Sequence, residues 1–473
     1  MQDRNTPLCV DLDGTLLRTD LLIESALGLL RTNPLYLVRF LVWLLAGKAN
    51  LKRQIAARSS LDVASLPYET RVVDWLRGAL DGQRRVLCSA SDQKFVDAVA
   101  AHVGGFDEAI GSDGRHNLAG VNKAAALSER YGERNFDYAG NAAADLHVWR
   151  RARKAIIVNA PSAVVLRAQR ECDVERVFAR EGNSLSSWLR ALRLHQWLKN
   201  LLVFLPLLAA HMLLQPPAVM GASIAFLSFN LCASGTYVLN DLLDLDADRR
   251  HPRKKARPFA SGALPVAAGL VAAPLLVLTA FAVALALSPL FALVLLGYCT
   301  LTIAYSLSIK RVAILDVVVL AALYTIRIVA GAAAIRVGMS FWLLAFSMFL
   351  FLSLAMIKRY TELRALLADG QSHASGRGYA VDDLPLVQSL GAASGYLSVL
   401  VFALYINSTA SETLYRHPAA LWMLCPLLLY WISRIWLIAH RGQMHDDPVV
   451  FAATDRVSRI VIVLCALAVL SAI

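Results

Sequence analysis

Two acids separated by one residue, Asp11 and Asp13, stand where an apolar run over 7–17 gives way to Asp11-Leu12-Asp13-Gly14-Thr15. Gly14 frees the backbone to turn, and in an open α/β sheet ligands sit at the carboxyl ends of strands. There, one acid could attack phosphorus while the other shuttles a proton, with a divalent cation neutralising the phosphate. Ser89 ends a second run, Lys123 opens a helix, and Gly140-Asn141 with Asp145 follow a later run. Together these groups make a phosphate site.

A second set lies at the end of an uncharged stretch. Asn240, Asp244 and Asp248 are spaced i, i+4, i+8, which puts three oxygen ligands on one face of a helix where it meets the cytoplasm; Asp241 and Asp246 lie between them. Hard oxygens in a row suit Mg²⁺, which binds through a few carboxylates plus substrate phosphates. Arg249, Arg250, Arg253, Lys254, Lys255 and Arg257 follow at once and can hold an anionic ligand.

Short runs at 7–17, 85–89, 136–139 and 155–158, with helix-length stretches between them, predict an α/β domain with a Rossmann-like parallel sheet. Between the first two strands, about 18–84 reads as an inserted helical cap. Its segment 35–45 is too short to span a bilayer, so it either touches the membrane surface or packs as a buried helix.

The remainder is different. The 473 residues are 57% hydrophobic and 17% charged, with mean hydropathy +0.52, and 201–240 and 258–309 contain no Asp, Glu, Lys or Arg. That composition excludes an ordinary multidomain soluble protein. After a break at Gly182-Asn183-Ser184, an amphipathic helix over 185–199 leads to an all-α polytopic bundle. About nine spans are expected, near 200–215, 217–240, 264–287, 290–308, 312–335, 338–357, 385–407, 418–438 and 457–473.

The loops 241–257, 309–311, 358–383 and 439–456 hold nearly all the Lys and Arg that lie between the spans, which marks them as cytoplasmic and argues against reading the net charge of +12 as a sign of nucleic acid as a partner. The N-terminus lacks a basic region followed by an apolar stretch, so no secretory signal is expected and the first domain should be cytoplasmic. Seven scattered cysteines without a C-x-x-C pair point to neither disulfide nor zinc.

The four motifs of the first domain resemble those of the haloacid dehalogenase superfamily, in order, over roughly 1–175. The resemblance implies Asp11 as nucleophile, Asp13 as general acid and base, and Ser89 and Lys123 as phosphate ligands. It also implies Mg²⁺ held by Asp11, Asp145 and the Asp13 carbonyl. The family commonly has Asp directly after the Gly of its last motif, where this chain has Asn141.

The segment from Asn240 to Asp248, with the basic run after it, resembles the UbiA superfamily of intramembrane prenyltransferases over about 190–473. This implies that Asn240, Asp241, Asp244 and Asp248 bind Mg²⁺ and a diphosphate, Asp244 and Asp248 being central to catalysis. The family's second acidic motif is reduced here to Asp316, with Leu320 four residues on, which counts against a second Mg²⁺ and against a typical prenyl diphosphate grip.

Residues 192–200, 358–363, His445-Asp446-Asp447-Pro448 and 454–456 look like the branch that makes polyprenyl-phosphate phosphoribose. That likeness implies phosphoribosyl diphosphate and a decaprenyl-type polyprenyl phosphate as substrates, with Lys199, Arg257, Lys310, Arg311, Lys358 and Arg359 as counter-charges. Arg327 lies inside a span, as either a phosphate contact or a structural partner.

The resulting organisation is a phosphatase domain over 1–180, a linker helix over 181–199 and a transferase over 200–473. It forms a bifunctional, multi-pass enzyme of the inner or plasma membrane with its active sites cytoplasmic, Mg²⁺ at both, and self-association left open. The alternative is a prenyltransferase with an aromatic acceptor and a non-catalytic N-terminal docking domain.

Overall fold

The computed structural model describes residues 6–78, 82–181, 184–370, 377–444 and 447–473. Gly182-Asn183 of the expected break and His445-Asp446 of the tail motif lie outside them. Two compact units result: 1–192 with 237–273, and 193–236 with 274–473.

The first unit is built on a six-stranded sheet: β1 (Leu8–Val10), β2 (Arg85–Asp92), β3 (Glu108–Ser112), β4 (Asp137–Gly140), β5 (Ala155–Val158) and β6 (Val174–Phe178). The order is β3-β2-β1-β4-β5-β6, and every pairing is parallel. Parallel strands are covered on both faces, which is why β1 and β5 are apolar throughout. Alternation then divides them: Leu8 and Val10 join one core with Val96 and Val99, while Cys9 joins another with Tyr138 and Trp149. Sequence reasoning found β1, β2, β4 and β5. It missed β3 and β6, the sheet edges, where partial exposure removes the hydrophobic signature.

Between β1 and β2 run α1 (Leu21–Thr32), α2 (Tyr36–Leu45), α3 (Lys48–Arg58) and α4 (Thr70–Gly78). Of the two readings of 35–45, burial is excluded: no residue of α2 is buried, and Leu35, Leu41 and Leu45 are 68%, 62% and 89% exposed. The sheet is flanked by α5 (Gln93–Val103), α6 (Val121–Tyr131), α7 (Leu146–Trp149) and α8 (Ser162–Glu171). The linker forms α9 (Ser184–Ala191), shorter than expected. It stops because Arg193 takes a left-handed conformation and a 3₁₀ helix follows over Leu194–Phe204.

Further helices are α10 (Leu205–Ala209), α11 (Pro216–Leu243), α12 (Leu245–Arg250), α13 (Val266–Leu287), α14 (Pro289–Leu307), α15 (Leu315–Ile335) and α16 (Phe341–Ala368). They are followed by α17 (Leu384–Ile406), α18 (Thr409–Leu414), α19 (Leu424–His440), α20 (Pro448–Thr454) and α21 (Arg456–Ala472). Among the described residues seven helices are long and apolar enough to cross a membrane, against the roughly nine spans expected, which makes this a multi-pass membrane protein. The segment near 200–215 is a 3₁₀ turn followed by the short α10, and α21 is only 17 residues long.

Within the first unit, residues 237–273 share a core with α1 and α9: Leu27, Ala191, Leu242, Phe259 and Leu264 pack together. Beside it Arg249 grips Glu24, Nη1 donating to Oε2 at 2.6 Å, and its Nε donates to the Ala260 carbonyl at 3.0 Å. Both side chains are under 5% exposed. Removing one partner strands a buried charge, so Glu24→Ala is expected to destabilise the unit by about 3–5 kcal/mol, whereas Glu24→Leu with Arg249→Met recovers most of it. Thermal unfolding of the purified protein measures both; a single variant as stable as wild type would refute the buried pairing.

Candidate active sites

The first site forms at the carboxyl ends of β1 and β4, adjacent strands from which the sheet order departs in opposite directions. Asp11 follows β1 directly and is buried; its Oδ1 accepts from Lys123 Nζ, on the first turn of α6, at 2.6 Å. Lys123 also donates to the Tyr138 hydroxyl at 3.0 Å, which donates to Asp145 Oδ1 at 2.8 Å. Asp145 Oδ2 accepts the backbone N–H groups of Asn141 and Ala142, each at 2.9 Å. One buried network through Tyr138 therefore brings together Asp11, Lys123 and Asp145, three of the residues that the sequence singled out.

Burial pushes the Asp11 carboxyl up to about 7, Lys123 opposing and the charge of Asp145 assisting. Burial works against the charge of Lys123, but Asp11 and Asp145 outweigh it and hold the ammonium above its ordinary value.

Asp13 is anchored on both oxygens. Oδ1 accepts from the N–H of Leu21, and Oδ2 accepts from Ser89 Oγ at 3.0 Å and Ser91 Oγ at 2.6 Å. Gly14 adopts φ +81°, and a Cβ there would meet Asn141 Nδ2 at 1.9 Å, so glycine is required by conformation and by space.

Sequence reasoning missed Tyr138, Ser91 and Lys52. Ser91 had a signal, since i and i+2 in a strand share a face. Tyr138 and Lys52 had none; Lys52 reaches from α3 to the Ala90 carbonyl and Asn117 Oδ1, at 2.6 and 2.7 Å.

Among the described residues no three His, Cys, Asp or Glu side chains close on one point. Two carboxylates and a carbonyl nevertheless fit Mg²⁺, which keeps waters and takes the rest of its oxygens from phosphate.

The second site lies at the junction of α11 and α12. Asp244 breaks the helix, yet its N–H donates to the Asn240 carbonyl at 3.0 Å and the Asp248 N–H to the Asp244 carbonyl at 2.8 Å. The one-turn spacing of Asn240, Asp244 and Asp248 therefore survives. Asp241 and Asp248 are buried, and one nitrogen of Arg257 serves both, at 3.1 and 2.6 Å. Arg257, expected to face substrate, thus tethers the acids. Asp244 is 38% exposed, with Arg31 at 3.9 Å.

In the second unit, Asp447 gathers Lys199 at 2.7 Å, Lys358 at 3.3 Å and the Tyr324 hydroxyl at 3.2 Å. Burial would push the Asp447 carboxyl up, but the ammonium groups of Lys358 and Lys199 hold it well below the usual range. Arg359 is 1% exposed and pairs with wholly buried Asp316 at 2.5 Å; Tyr379 donates to the same carboxylate at 2.7 Å. Arg359 also contacts Glu362 and donates to the Tyr305 hydroxyl at 3.0 Å. Lys358 and Arg359, expected to act together on phosphate, have separate environments. Lys310 lies in the turn Ile309–Arg311, partly exposed.

Arg327 is buried against neutral partners: Asn200 Oδ1 at 2.7 Å, the Leu323 carbonyl, and the rings of Phe229, Tyr298 and Tyr324. Of its two expected roles, the structural one describes these contacts.

A profile of the UbiA prenyltransferase family matches residues 202–454. The uncharacterized protein y4nM of Sinorhizobium fredii is 39% identical over 461 residues, covering 96% of this chain and 89% of that protein. Decaprenyl-phosphate phosphoribosyltransferase of Mycolicibacterium smegmatis is 29% identical over 284 residues, 59% of this chain and 89% of that enzyme. Among solved structures, a UbiA homolog from Archaeoglobus fulgidus bound to GPP and Mg²⁺ is 16% identical with a TM-score of 0.47, over 60% of this chain and 99% of that one.

Proposed function

The chain belongs to the UbiA prenyltransferase family, and on that premise we propose a bifunctional enzyme that transfers phosphoribose from phosphoribosyl diphosphate to a polyprenyl phosphate and then removes the 5-phosphate. The observation that carries the choice of donor is Asp316. The acid remaining from the second motif is wholly buried and occupied by Arg359 and Tyr379, which supports a single diphosphate-binding Mg²⁺ and disfavours a prenyl diphosphate. The relative that transfers phosphoribose to decaprenyl phosphate supports the same reading.

In the first unit Asn240, Asp241, Asp244 and Asp248 would hold Mg²⁺, which supplies charge neutralisation for a departing diphosphate. Arg257 keeps Asp241 and Asp248 buried in place. In the second unit Lys199, Lys310 and Lys358 offer counter-charges for phosphate. The anomeric carbon–diphosphate bond breaks and an oxygen of the lipid phosphate bonds to that carbon, giving polyprenylphosphoryl-5-phosphoribose.

In the phosphatase site Asp11, Asp145 and the Asp13 carbonyl would hold a second Mg²⁺, which neutralises the substrate phosphate. Lys123 fixes Asp11 Oδ1 and leaves Oδ2 to attack phosphorus. Ser89, Ser91 and the Leu21 N–H orient Asp13 to protonate the departing ribose 5-oxygen, and Asp13 then takes a proton from the water that releases phosphate. The basic loops support a cytoplasmic location for both sites.

Purified protein given polyprenyl phosphate, phosphoribosyl diphosphate and Mg²⁺ is expected to yield lipid-linked pentose, diphosphate and orthophosphate. Consumption of a prenyl diphosphate with an aromatic acceptor, and no lipid-linked pentose, would overturn the assignment. A non-catalytic first domain is the second reading, favoured by Asn141; it predicts no orthophosphate.

A further inference from the structure

We propose that the phosphatase cavity takes a phosphomonoester carried on an apolar chain, because one of its walls is the start of a membrane-spanning helix. This rests on the phosphatase reading of the first unit. The cavity, of about 510 Å³, is lined by Asp13, Gly14 and Asn141, and by the charged residues Arg18, Asp20, Arg180 and Glu181. Ile23, Val164, Pro265, Val266 and Ala267 give it an apolar side. A sugar phosphate on its own is polar throughout and gains nothing from such a surface.

The wall is fixed in place. Gly262 adopts φ +73°, and a Cβ there would lie 2.5 Å from Arg18 Cβ and 2.8 Å from the Arg18 carbonyl oxygen, so the segment rests on the backbone of Arg18. Arg18 is itself held by Glu69 through two hydrogen bonds of 2.9 Å. Arg249 ties the Ala260 carbonyl and Glu24 to the same segment.

Ala267 is exposed on the first turn of α13, a helix of 22 residues long and apolar enough to cross a membrane. Val271, one turn on, is 67% exposed. An apolar chain leaving the cavity therefore meets exposed apolar side chains at Ala267 and, one turn on, at Val271. Arg18 and Arg180 would face the phosphorylated head.

The test compares farnesylphosphoryl-5-phosphoribose with ribose 5-phosphate as substrates of the full-length protein in liposomes, with Mg²⁺. Ala267→Asp places a charge on the exposed wall and is expected to lower the ratio of kcat/KM for the lipid-linked over the free substrate by about tenfold or more. Ala267→Val should keep that ratio within about threefold, since a small apolar change in such a wall alters selectivity little. A ratio unchanged by Ala267→Asp, with ribose 5-phosphate still hydrolysed, overturns the apolar wall and leaves the phosphatase intact. Wild-type protein that hydrolyses neither substrate overturns both.

Discussion

Asp244→Asn is expected to lower phosphoribosyl transfer by roughly 10²–10³-fold, the usual consequence of removing one electrostatic element from a charge-stabilising site. Asp244 is the informative acid because Asp241 and Asp248 already share Arg257, whereas Asp244 is 38% exposed at the break between α11 and α12. It is the residue preceding α12, and asparagine serves as well as aspartate at a helix N-terminus, so the substitution removes charge while keeping the junction. Release of diphosphate from phosphoribosyl diphosphate measures the loss. Hydrolysis of ribose 5-phosphate by the same preparation should be retained, and its parallel disappearance would indicate collapse of the first unit.

Asp11→Asn is expected to abolish orthophosphate release, by about 10³-fold or more, the scale seen when a nucleophile is removed. The amide preserves the shape of the side chain but is a far weaker nucleophile than the carboxylate held by Lys123 at 2.6 Å. Lipid-linked phosphopentose should accumulate and keep its 5-phosphate, resolved by mass spectrometry of the lipid extract. Because the substitution leaves buried Lys123 without its closest anion, undiminished transfer activity serves as the control for folding. Loss of both activities together would contradict independent sites.

The grouping around Asp11 was largely legible because a parallel sheet constrains it: residues after β1, in β2 and after β4 must converge on the carboxyl edge, whatever the loops between them do. Tyr138 was not legible, since a tyrosine in a strand reads as packing until Lys123 and Asp145 are found on either side of its hydroxyl. The spacing in the Asp-rich segment survived a helix break that its sequence does not announce. Arg359 shows the opposite limit. Its neighbour Lys358 suggests a dibasic phosphate grip, but Asp316, 43 positions away, claims the guanidinium, and no local pattern carries a pairing over that separation. The last expected span is found as α21 within a residue of its expected bounds, whereas the first is a 3₁₀ segment followed by a short helix, a backbone conformation that hydrophobicity does not announce.

The sharing of one core by α1, α9 and residues 237–273 has a consequence for how such a protein can be dissected. A cut near residue 181, where the composition changes, would leave Leu27 without Ala191, Phe259 and Leu264, and would part Glu24 from Arg249. The boundary that composition suggests is therefore not a boundary of packing. Two pieces separated at that point would have to reassemble this core before the first unit was whole, so an isolated N-terminal fragment is a poor stand-in for the domain it contains.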